Sequence, residues 1–346
     1  MPETPFARCR EMVNSELREF FSSREDRASN LPLIGREAFS NLKEYNLRGG
    51  KRIRPMLAIF SYKAFGGRNE REMVKAALAV ELMEAYLLIH DDIIDNDELR
   101  RNGPTMHKIY ERMKNDQLYG RAMAIVVGDI CASLGSEAIL NTNFSAEKRL
   151  MAVDKFNRVI VNTCIGQMLD IESQKRKVTE KDITDIHTLK TAIYTIEGPL
   201  HIGAILAGAG KEDLGELSDF AIPLGKAFQT QDDILGMFGT REKIGKPVGS
   251  DVREGKKTLL MVKALELGSP TQRKFIQRCL GNKRLTFKQL EKLREIVTKT
   301  GSLDYSKRLI ERYSDEARVA LGKLKISNEG RQFFMYICNY IIQRDK

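Results

Sequence analysis

Three aspartates stand at the end of a long apolar segment: the stretch Leu87–Asp95 contains Asp91, Asp92 and Asp95, and Arg100-Arg101 follows shortly after. On a helix this spacing places Asp91 and Asp95 about 40° apart on one face, with Asp92 on the flank. Two such carboxylates repel each other, so a divalent cation with oxygen ligands is their simplest partner. A solvated helix end explains the pattern equally well, because such short motifs recur by chance.

Other residues that could join such a site are spread along the chain. A second aspartate pair, Asp232-Asp233, lies on another apolar helical pattern, just after Gln229. Lysines and arginines gather in three segments, residues 48–54, 100–101 and 246–257. Two carboxylate pairs together with these cations favour a ligand held by metal ions and bases, and a diphosphate fits that description. Taken alone, each basic segment is also explained as an ordinary charged loop.

The segments that carry these residues predict an all-α fold. Apolar residues recur at helical spacing over about residues 5–22, 69–95, 118–140 and 146–173, and Thr179 and Thr286 each begin a capping-box pattern. No segment shows sustained strand alternation, and no Pro/Ser-rich linker divides the chain. We therefore expect one domain over residues 1–346, in which apolar helices form the walls of a tunnel suited to a prenyl chain.

The composition narrows the class of partner. The 346 residues include 57 Lys and Arg against 47 Asp and Glu, a net charge of +10 that suits anionic partners. Five scattered cysteines without a CxxC pair indicate reduced thiols and a cytoplasmic protein. The N-terminus shows no signal-peptide pattern, and no uncharged apolar run reaches the about 18 residues of a membrane helix.

Six ordered motifs resemble those of the trans-isoprenyl diphosphate synthase family, the polyprenyl synthetases, and in particular archaeal-type short-chain geranylgeranyl diphosphate synthases. They are Gly49–Pro55 (GGKRxRP), Asp91–Asp95 with Arg100-Arg101, Lys190-Thr191, Gln229, Asp232-Asp233 and Gly245–Lys256. The resemblance implies a single-domain isoprenoid-synthase-type helical bundle around a central cavity, a homodimer, and a prenyltransferase of isoprenoid biosynthesis.

The resemblance also implies roles for individual residues. The metal ligands would be Asp91, Asp95 and Asp232, holding three Mg²⁺ ions per active site when diphosphate is bound, with Asp92 in support. Isopentenyl diphosphate would be held by Lys51, Arg54 and Arg101. The allylic diphosphate, whether dimethylallyl, geranyl or farnesyl, would be held by Arg100, Lys190, Thr191, Gln229 and Lys256, with Lys246 nearby. The catalytic set would be Asp91, Asp92, Asp95, Arg100, Lys190 and Asp232.

In the mechanism that the family implies, the allylic diphosphate ionises, the isopentenyl double bond attacks the cation, and the departing diphosphate takes the proton. Two positions depart from the family pattern. Gly236 stands where the second motif has a third aspartate, and Glu84 stands where relatives often have His or Gln. Since an anion facing a diphosphate is unfavourable, Glu84 must point elsewhere or be neutralised by a nearby Arg or Lys.

Product length in this family depends on the residues four and five positions before the first aspartate, here Leu87 and Tyr86. On an ideal helix Tyr86 lies about 140° from Asp91, so spacing alone does not place it in the tunnel. By resemblance, a bulky Tyr86 implies a stop at geranylgeranyl diphosphate (C20), and a core tyrosine is the alternative. Farnesyl or longer products, or a catalytically silent subunit of a heteromeric synthase, remain open.

Other classes of protein fit the sequence less well. A terpene cyclase or a head-to-head condensing enzyme would not need the Gly49–Pro55 and Gly245–Lys256 motifs. A nucleic-acid-binding protein would explain the charge but not aspartate pairs on apolar helices. We therefore expect no nucleic-acid partner, no transmembrane segment, and only transient membrane contact during product release.

Overall fold

The computed structural model describes residues 5–239 and 248–342, and these are almost entirely helical. The helices in chain order are α1 Pro5–Ala28, α2 Leu33–Leu47, α3 Ile53–Ala64, α4 Glu70–Asp95, α5 Met106–Lys114, α6 Gln117–Leu140, α7 Ala146–Ser173, α8 Glu180–Ile186, a π-helix His187–Glu197, α9 Gly198–Ala207, α10 Lys211–Phe238, α11 Ser250–Glu254, α12 Leu259–Leu267, α13 Pro270–Cys279, α14 Phe287–Lys299, α15 Ser302–Lys323 and α16 Asn328–Ile342. Two short strands of two residues each, β1 Leu99–Arg100 and β2 Gly103–Pro104, form an antiparallel hairpin in which Arg100 lies opposite Gly103. The prediction of an all-α fold is confirmed.

The chain divides into two compact units. The first unit comprises Met1–Asn157 and Pro199–Ala209, and the second comprises Arg158–Gly198 and Gly210–Lys346. A single domain over residues 1–346 stays a prediction.

Helix α4 forms the centre of the first unit. Most of its side chains between Met73 and Ala85 are buried, and it packs against α3 and α6. Asn69 caps its start by accepting a hydrogen bond from the backbone N–H of Glu72 at 3.3 Å. Asn96, whose left-handed backbone has a φ of 57°, ends it directly after the aspartates. The helix predicted over residues 69–95 is therefore confirmed, and the aspartate motif occupies its C-terminal end.

Helix α10 forms the centre of the second unit, where it packs against the π-helix and α15. The π-helix continues α8, which begins at the predicted capping box: Thr179 accepts from the backbone N–H of Asp182, and the Asp182 carboxylate accepts from Thr179. Most π-helices are single-turn bulges and many occur at functional sites, so an 11-residue stretch is unusual. The apolar periodicity predicts a helix here but not its wider turn.

Two segments differ from what the sequence predicts. No helix is predicted from the sequence over residues 33–47, yet they form α2, which buries Ala38, Leu42 and Tyr45. The glycine- and lysine-rich segment 245–258 was expected to be a loop. Its described part contains the short helix α11, between Gly249 and Gly255.

All five cysteines are free thiols, as expected, and Cys9, Cys131, Cys279 and Cys338 are buried. Burial raises the pKa of Cys9 to about 11 and the pKa values of Cys131 and Cys338 to about 12. These thiols are therefore protonated at neutral pH and poor nucleophiles.

Within residues 5–239 and 248–342, α6 is the one helix long and apolar enough to cross a membrane, judged by length and composition alone. Ala124, Val127, Cys131 and Leu134 on this helix are buried inside the fold. Packing against α4 and α5 accounts for much of its apolar composition.

Candidate functional site

Two basic segments of the first unit lie together beside α4. Arg48 joins them, since its Nη1 donates to the carbonyl of Pro104 at 2.6 Å. Gly50 has a φ of 134°, and a Cβ at this position would lie 3.4 Å from Cζ of Arg101. Glycine suits this point because the backbone conformation is unfavourable for other residues. The predicted basic segments 48–54 and 100–101 are thus neighbours, whereas the linking role of Arg48 was missed from the sequence.

Arg52, inside the GGKRxRP motif, links helices α1, α2 and α4. Its buried guanidinium pairs with Glu81 and donates to the carbonyl of Asn46 at 2.7 Å and to Oδ1 of Asn14 at 2.9 Å. These contacts direct Arg52 into the core. Lys51 on one side of it is exposed, and Arg54 on the other side is half-buried.

Asp92 and Arg100 hold each other. The Asp92 side chain is fully buried, and Nε of Arg100 donates to its Oδ1 at 2.8 Å. Arg100 also pairs with Asp97 at 3.1 Å. Burial acts to lower the pKa of Arg100, but the charge of Asp92 outweighs it and the pKa lies above its ordinary value. Asp92 therefore holds Arg100 from inside the fold, and the roles of both residues in a site stay predictions.

Tyr45 completes this buried cluster by donating from its hydroxyl to Oδ2 of Asp92 at 3.2 Å. Burial, followed by the negative charge of Asp92, raises the pKa of Tyr45 well above its ordinary value. The hydroxyl thus stays protonated and remains a donor. Tyr45 lies on α2, where no helix was predicted, so nothing in the local pattern indicated this contact.

Asp91 and Asp95 are half-buried near the end of α4. Among the described residues, no three His, Cys, Asp or Glu side chains converge closely enough to enclose a metal ion. Mg²⁺ is usually bound by one or two carboxylates, with water and substrate phosphates completing its shell. The carboxylates present therefore fit Mg²⁺ that binds together with a diphosphate. That both aspartate pairs serve one site stays a prediction.

Glu84, the first departure from the family pattern, is neutralised by arginines. Its Oε1 lies 3.0 Å from Nη1 of Arg54 and 3.3 Å from Nη2 of Arg101. The sequence allowed Glu84 either to point elsewhere or to be neutralised by a nearby Arg or Lys, and in the structure it is neutralised by Arg54 and Arg101.

Tyr86 and Leu87, the predicted length-determining residues, are both half-buried. The ring of Tyr86 meets that of His90 edge to face, with centroids 4.8 Å apart. Nε2 of His90 lies 3.1 Å from the carbonyl of Ile125, so the ring pair is anchored to α6.

The second unit contains a small cleft of about 120 Å³ that brings four predicted residues together. These are Lys190, Thr191, Gln229 and Lys256. Other residues that line the cleft are Asp170, Ile183, Ile186, His187, Asp233, Asp251, Lys257 and Thr258. Lysines therefore gather here around polar groups, as a site for an anion requires.

Gln229 is oriented by a chain of contacts in this cleft. Thr191 donates to Oε1 of Gln229 at 2.7 Å, and Nε2 of Gln229 donates to Oδ1 of Asp233 at 2.8 Å. His187 lies 3.2 Å from the other oxygen of Asp233. Asp233 is therefore buried and orients Gln229, and no local sequence pattern indicates the contact with His187.

Lys190 is held by Asp170 on α7 at 2.6 Å, a second residue missed from the sequence. The π-helix passes so close to α7 that a Cβ at Gly166 would lie 2.4 Å from the backbone nitrogen of Lys190. Gly166 and Asp170 are four residues apart on one face of α7, but this spacing does not indicate the distant partner Lys190.

Gly236, the second departure, lies beside Asp251. A Cβ at Gly236 would be 2.8 Å from Oδ2 of Asp251, so Asp251 occupies space that a side chain at 236 would need. Asp232 is half-buried on α10, and Lys256 pairs with Glu254 at 2.7 Å. Lys246 lies outside the described residues.

A larger groove of about 850 Å³ lies between α10 and α15 in the second unit. It contains none of the predicted site residues, and its five acids, among them Asp219 and Glu316, outnumber its three bases, Arg308, Arg312 and Lys323. An excess of acids does not favour an anion, whereas lysines and acids are equal in number in the smaller cleft, which also contains the predicted residues.

Comparison with known proteins decides the family. Residues 36–298 match the family model described as polyprenyl synthetase. The chain belongs to the polyprenyl synthetase family. The geranylgeranyl diphosphate synthase of Sulfolobus acidocaldarius is 35% identical over 302 residues, covering 86% of this chain and 88% of the relative. The short chain isoprenyl diphosphate synthase of Methanocaldococcus jannaschii is 37% identical over 261 residues, covering 75% of each.

Solved structures share the fold of this polyprenyl synthetase. The geranylgeranyl pyrophosphate synthase of Corynebacterium glutamicum, complexed with isoprenyl diphosphate and magnesium, has a TM-score of 0.92 at 28% identity, with 98% of this chain and 99% of that chain covered. The geranylgeranyl pyrophosphate synthetase of Pyrococcus horikoshii has a TM-score of 0.83 at 29% identity, with 98% of both covered.

We expect Asp92→Asn to destabilise this polyprenyl synthetase, because it leaves Arg100, whose side chain is only 15% exposed, without its main counter-charge. Breaking a buried ion pair typically costs about 3–5 kcal/mol, so the melting temperature should fall by several degrees in thermal unfolding followed by circular dichroism. Asp129→Asn removes the same charge from a side chain that is 67% exposed, and should change the melting temperature little. Equal effects of the two variants would contradict a buried structural role for Asp92.

Proposed function

We propose that this polyprenyl synthetase condenses isopentenyl diphosphate with an allylic diphosphate and stops at geranylgeranyl diphosphate. Two archaeal relatives named geranylgeranyl diphosphate synthase, from Sulfolobus acidocaldarius and Saccharolobus solfataricus, are each 35% identical to it and support this product. A relative named geranylfarnesyl diphosphate synthase, from Aeropyrum pernix, is 31% identical. A longer product is therefore the second candidate.

The observation that carries the proposal is the meeting of two basic segments beside the end of α4 that bears Asp91 and Asp95. Arg54 of the Gly49–Pro55 segment and Arg101 of the hairpin both pair with the carboxylate of Glu84. Arg100 of the hairpin pairs with Asp92. Guanidinium groups beside carboxylates suit a diphosphate that is bound directly and through a metal ion.

In this proposal each residue keeps the role that the family resemblance implies. Lys51, Arg54 and Arg101 hold isopentenyl diphosphate. Asp91, Asp95 and Asp232 would hold Mg²⁺, which would supply the positive charge that stabilises a leaving diphosphate. The allylic diphosphate is held by Arg100, Lys190, Thr191, Gln229, Lys256 and Lys246.

The contacts in the second unit suit that role for Gln229. One hydrogen of its amide nitrogen goes to Asp233, while its oxygen accepts from Thr191. A primary amide has a second N–H, which can donate to an oxygen of an anion in the cleft. Because Thr191 and Asp233 fix the amide, little side-chain entropy is lost when that anion binds.

We expect Asp91→Ala to lower turnover at least about 1000-fold, a loss of about 4 kcal/mol of transition-state stabilisation. Diphosphate release from isopentenyl diphosphate plus farnesyl diphosphate measures turnover, with and without Mg²⁺. The wild type should lose activity when EDTA removes the metal. The surface variant Asp304→Ala is the matched control and should retain activity. Near-normal turnover by Asp91→Ala would refute the metal assignment, and no release by the wild type would favour a silent subunit.

We expect Tyr86→Ala to shift most product beyond C20, because removing the ring from the tunnel floor leaves room for further isoprene units. Radiolabelled isopentenyl diphosphate followed by chromatography of the products measures their length. The wild type should give mainly C20 product. The exposed tyrosine variant Tyr336→Ala should give the wild-type distribution. An unchanged distribution for Tyr86→Ala would mean that Tyr86 is a core tyrosine.

We propose a homodimer, supported by an apolar stripe on α6 where Leu118, Ile125 and Val126 are 77%, 46% and 54% exposed. Covering such a stripe with a second copy removes apolar surface from water. Light scattering should give twice the chain mass for the wild type, and Val126→Glu should shift the mass toward the monomer. Leu267→Glu, at another exposed leucine, should stay dimeric. A monomeric wild type would refute the dimer.

A further inference from the structure

We propose that Glu84 acts as an internal anion that occupies Arg54 and Arg101 and weakens the binding of isopentenyl diphosphate. This rests on the proposed function, which assigns those arginines to that substrate. The carboxylate of Glu84 would then set the affinity of the enzyme for one of its two substrates.

The geometry places one carboxylate oxygen between two guanidinium groups. Oε1 of Glu84 lies 3.0 Å from Arg54 and 3.3 Å from Arg101. The side chains are only partly accessible, 16% exposed for Glu84 and Arg54 and 20% for Arg101. Carboxylate and phosphate oxygens bind guanidinium groups with the same charge-assisted hydrogen bonds, so they compete for the same donors.

The charges around Glu84 show why its own charge matters. Glu81, one turn earlier on α4, pairs with Arg52 and lies 3.7 Å from Arg101. Three guanidinium groups, those of Arg52, Arg54 and Arg101, thus face the carboxylates of Glu81 and Glu84. A neutral residue at position 84 would raise the net charge of this cluster by one unit, and Arg100 adds a further positive charge nearby.

Glu84 is ionised at neutral pH. Burial acts to raise its pKa, but Arg54, followed by Arg101, outweighs burial and the pKa lies below its ordinary value. Burial, followed by the charge of Glu84, raises the pKa of Glu81. A diphosphate that binds to Arg54 and Arg101 must therefore displace the charged carboxylate of Glu84. The free energy of this displacement weakens the binding of the diphosphate.

The test is a steady-state comparison of Glu84→Gln with the wild type. We expect the KM for isopentenyl diphosphate to fall about three- to tenfold, while kcat and the KM for farnesyl diphosphate stay unchanged. Glu98→Gln removes the same charge from an exposed side chain of the first unit and should leave all three constants unchanged. If Glu84→Gln left the KM for isopentenyl diphosphate unchanged or raised it, Glu84 would be a residue that positions the arginines, and the inference would fail.

Titration calorimetry with isopentenyl diphosphate alone separates this inference from the proposed function, because no turnover occurs without an allylic substrate. Tighter binding to Glu84→Gln than to the wild type supports the inference, and equal or weaker binding overturns it. Glu84→His, which also removes the carboxylate, repeats the test if the Gln variant does not fold. A wild type that binds isopentenyl diphosphate but releases no diphosphate with Mg²⁺ and farnesyl diphosphate overturns the proposed function alone.

Discussion

Two buried carboxylates on α4 hold Arg52 and Arg100 in place, and the arrangement of the basic loops of the first unit depends on these two ion pairs. Glu81 pairs with Arg52 and Asp92 pairs with Arg100, both inside the fold. A buried charge without a partner costs several kcal/mol, so a loop that buries an arginine must bring it to a carboxylate. Helix α4 thus carries two sets of acids: inward ones that fix the basic segments, and half-buried ones, including Asp91, that remain near the solvent.

The second unit uses the same principle with different groups. Asp170 fixes Lys190, and Asp233 fixes Gln229, so carboxylates orient the two residues that are predicted to contact a substrate. The backbone of the π-helix lies close to α7 at Gly166, where a residue with a Cβ would clash with Lys190. A wider helical turn is a local departure from ideal geometry, and such departures are common where function constrains the backbone.

Glu84 and Gly236, the two departures from the family pattern, are each accommodated by neighbouring side chains. Glu84 is paired with two arginines. At Gly236 the missing side chain leaves room that the Asp251 carboxylate occupies. Glu84 lies within α4 and Gly236 within α10, and both helices are continuous at these positions.

The sequence by itself determined the all-α fold, the limits of α4, α6 and α7, and the family, because apolar periodicity, helix caps and short motifs are local features. Only the tertiary structure decided which charges face inward. Arg52 and Arg54 are two residues apart in one motif, yet Arg52 is buried on Glu81 while Arg54 pairs with Glu84. Which arginine is buried depends on carboxylates about thirty residues away in the sequence, and local spacing does not indicate these partners. For the same reason the contacts of Arg48, Asp170 and His187 were missed, since each joins segments that meet only when the helices pack.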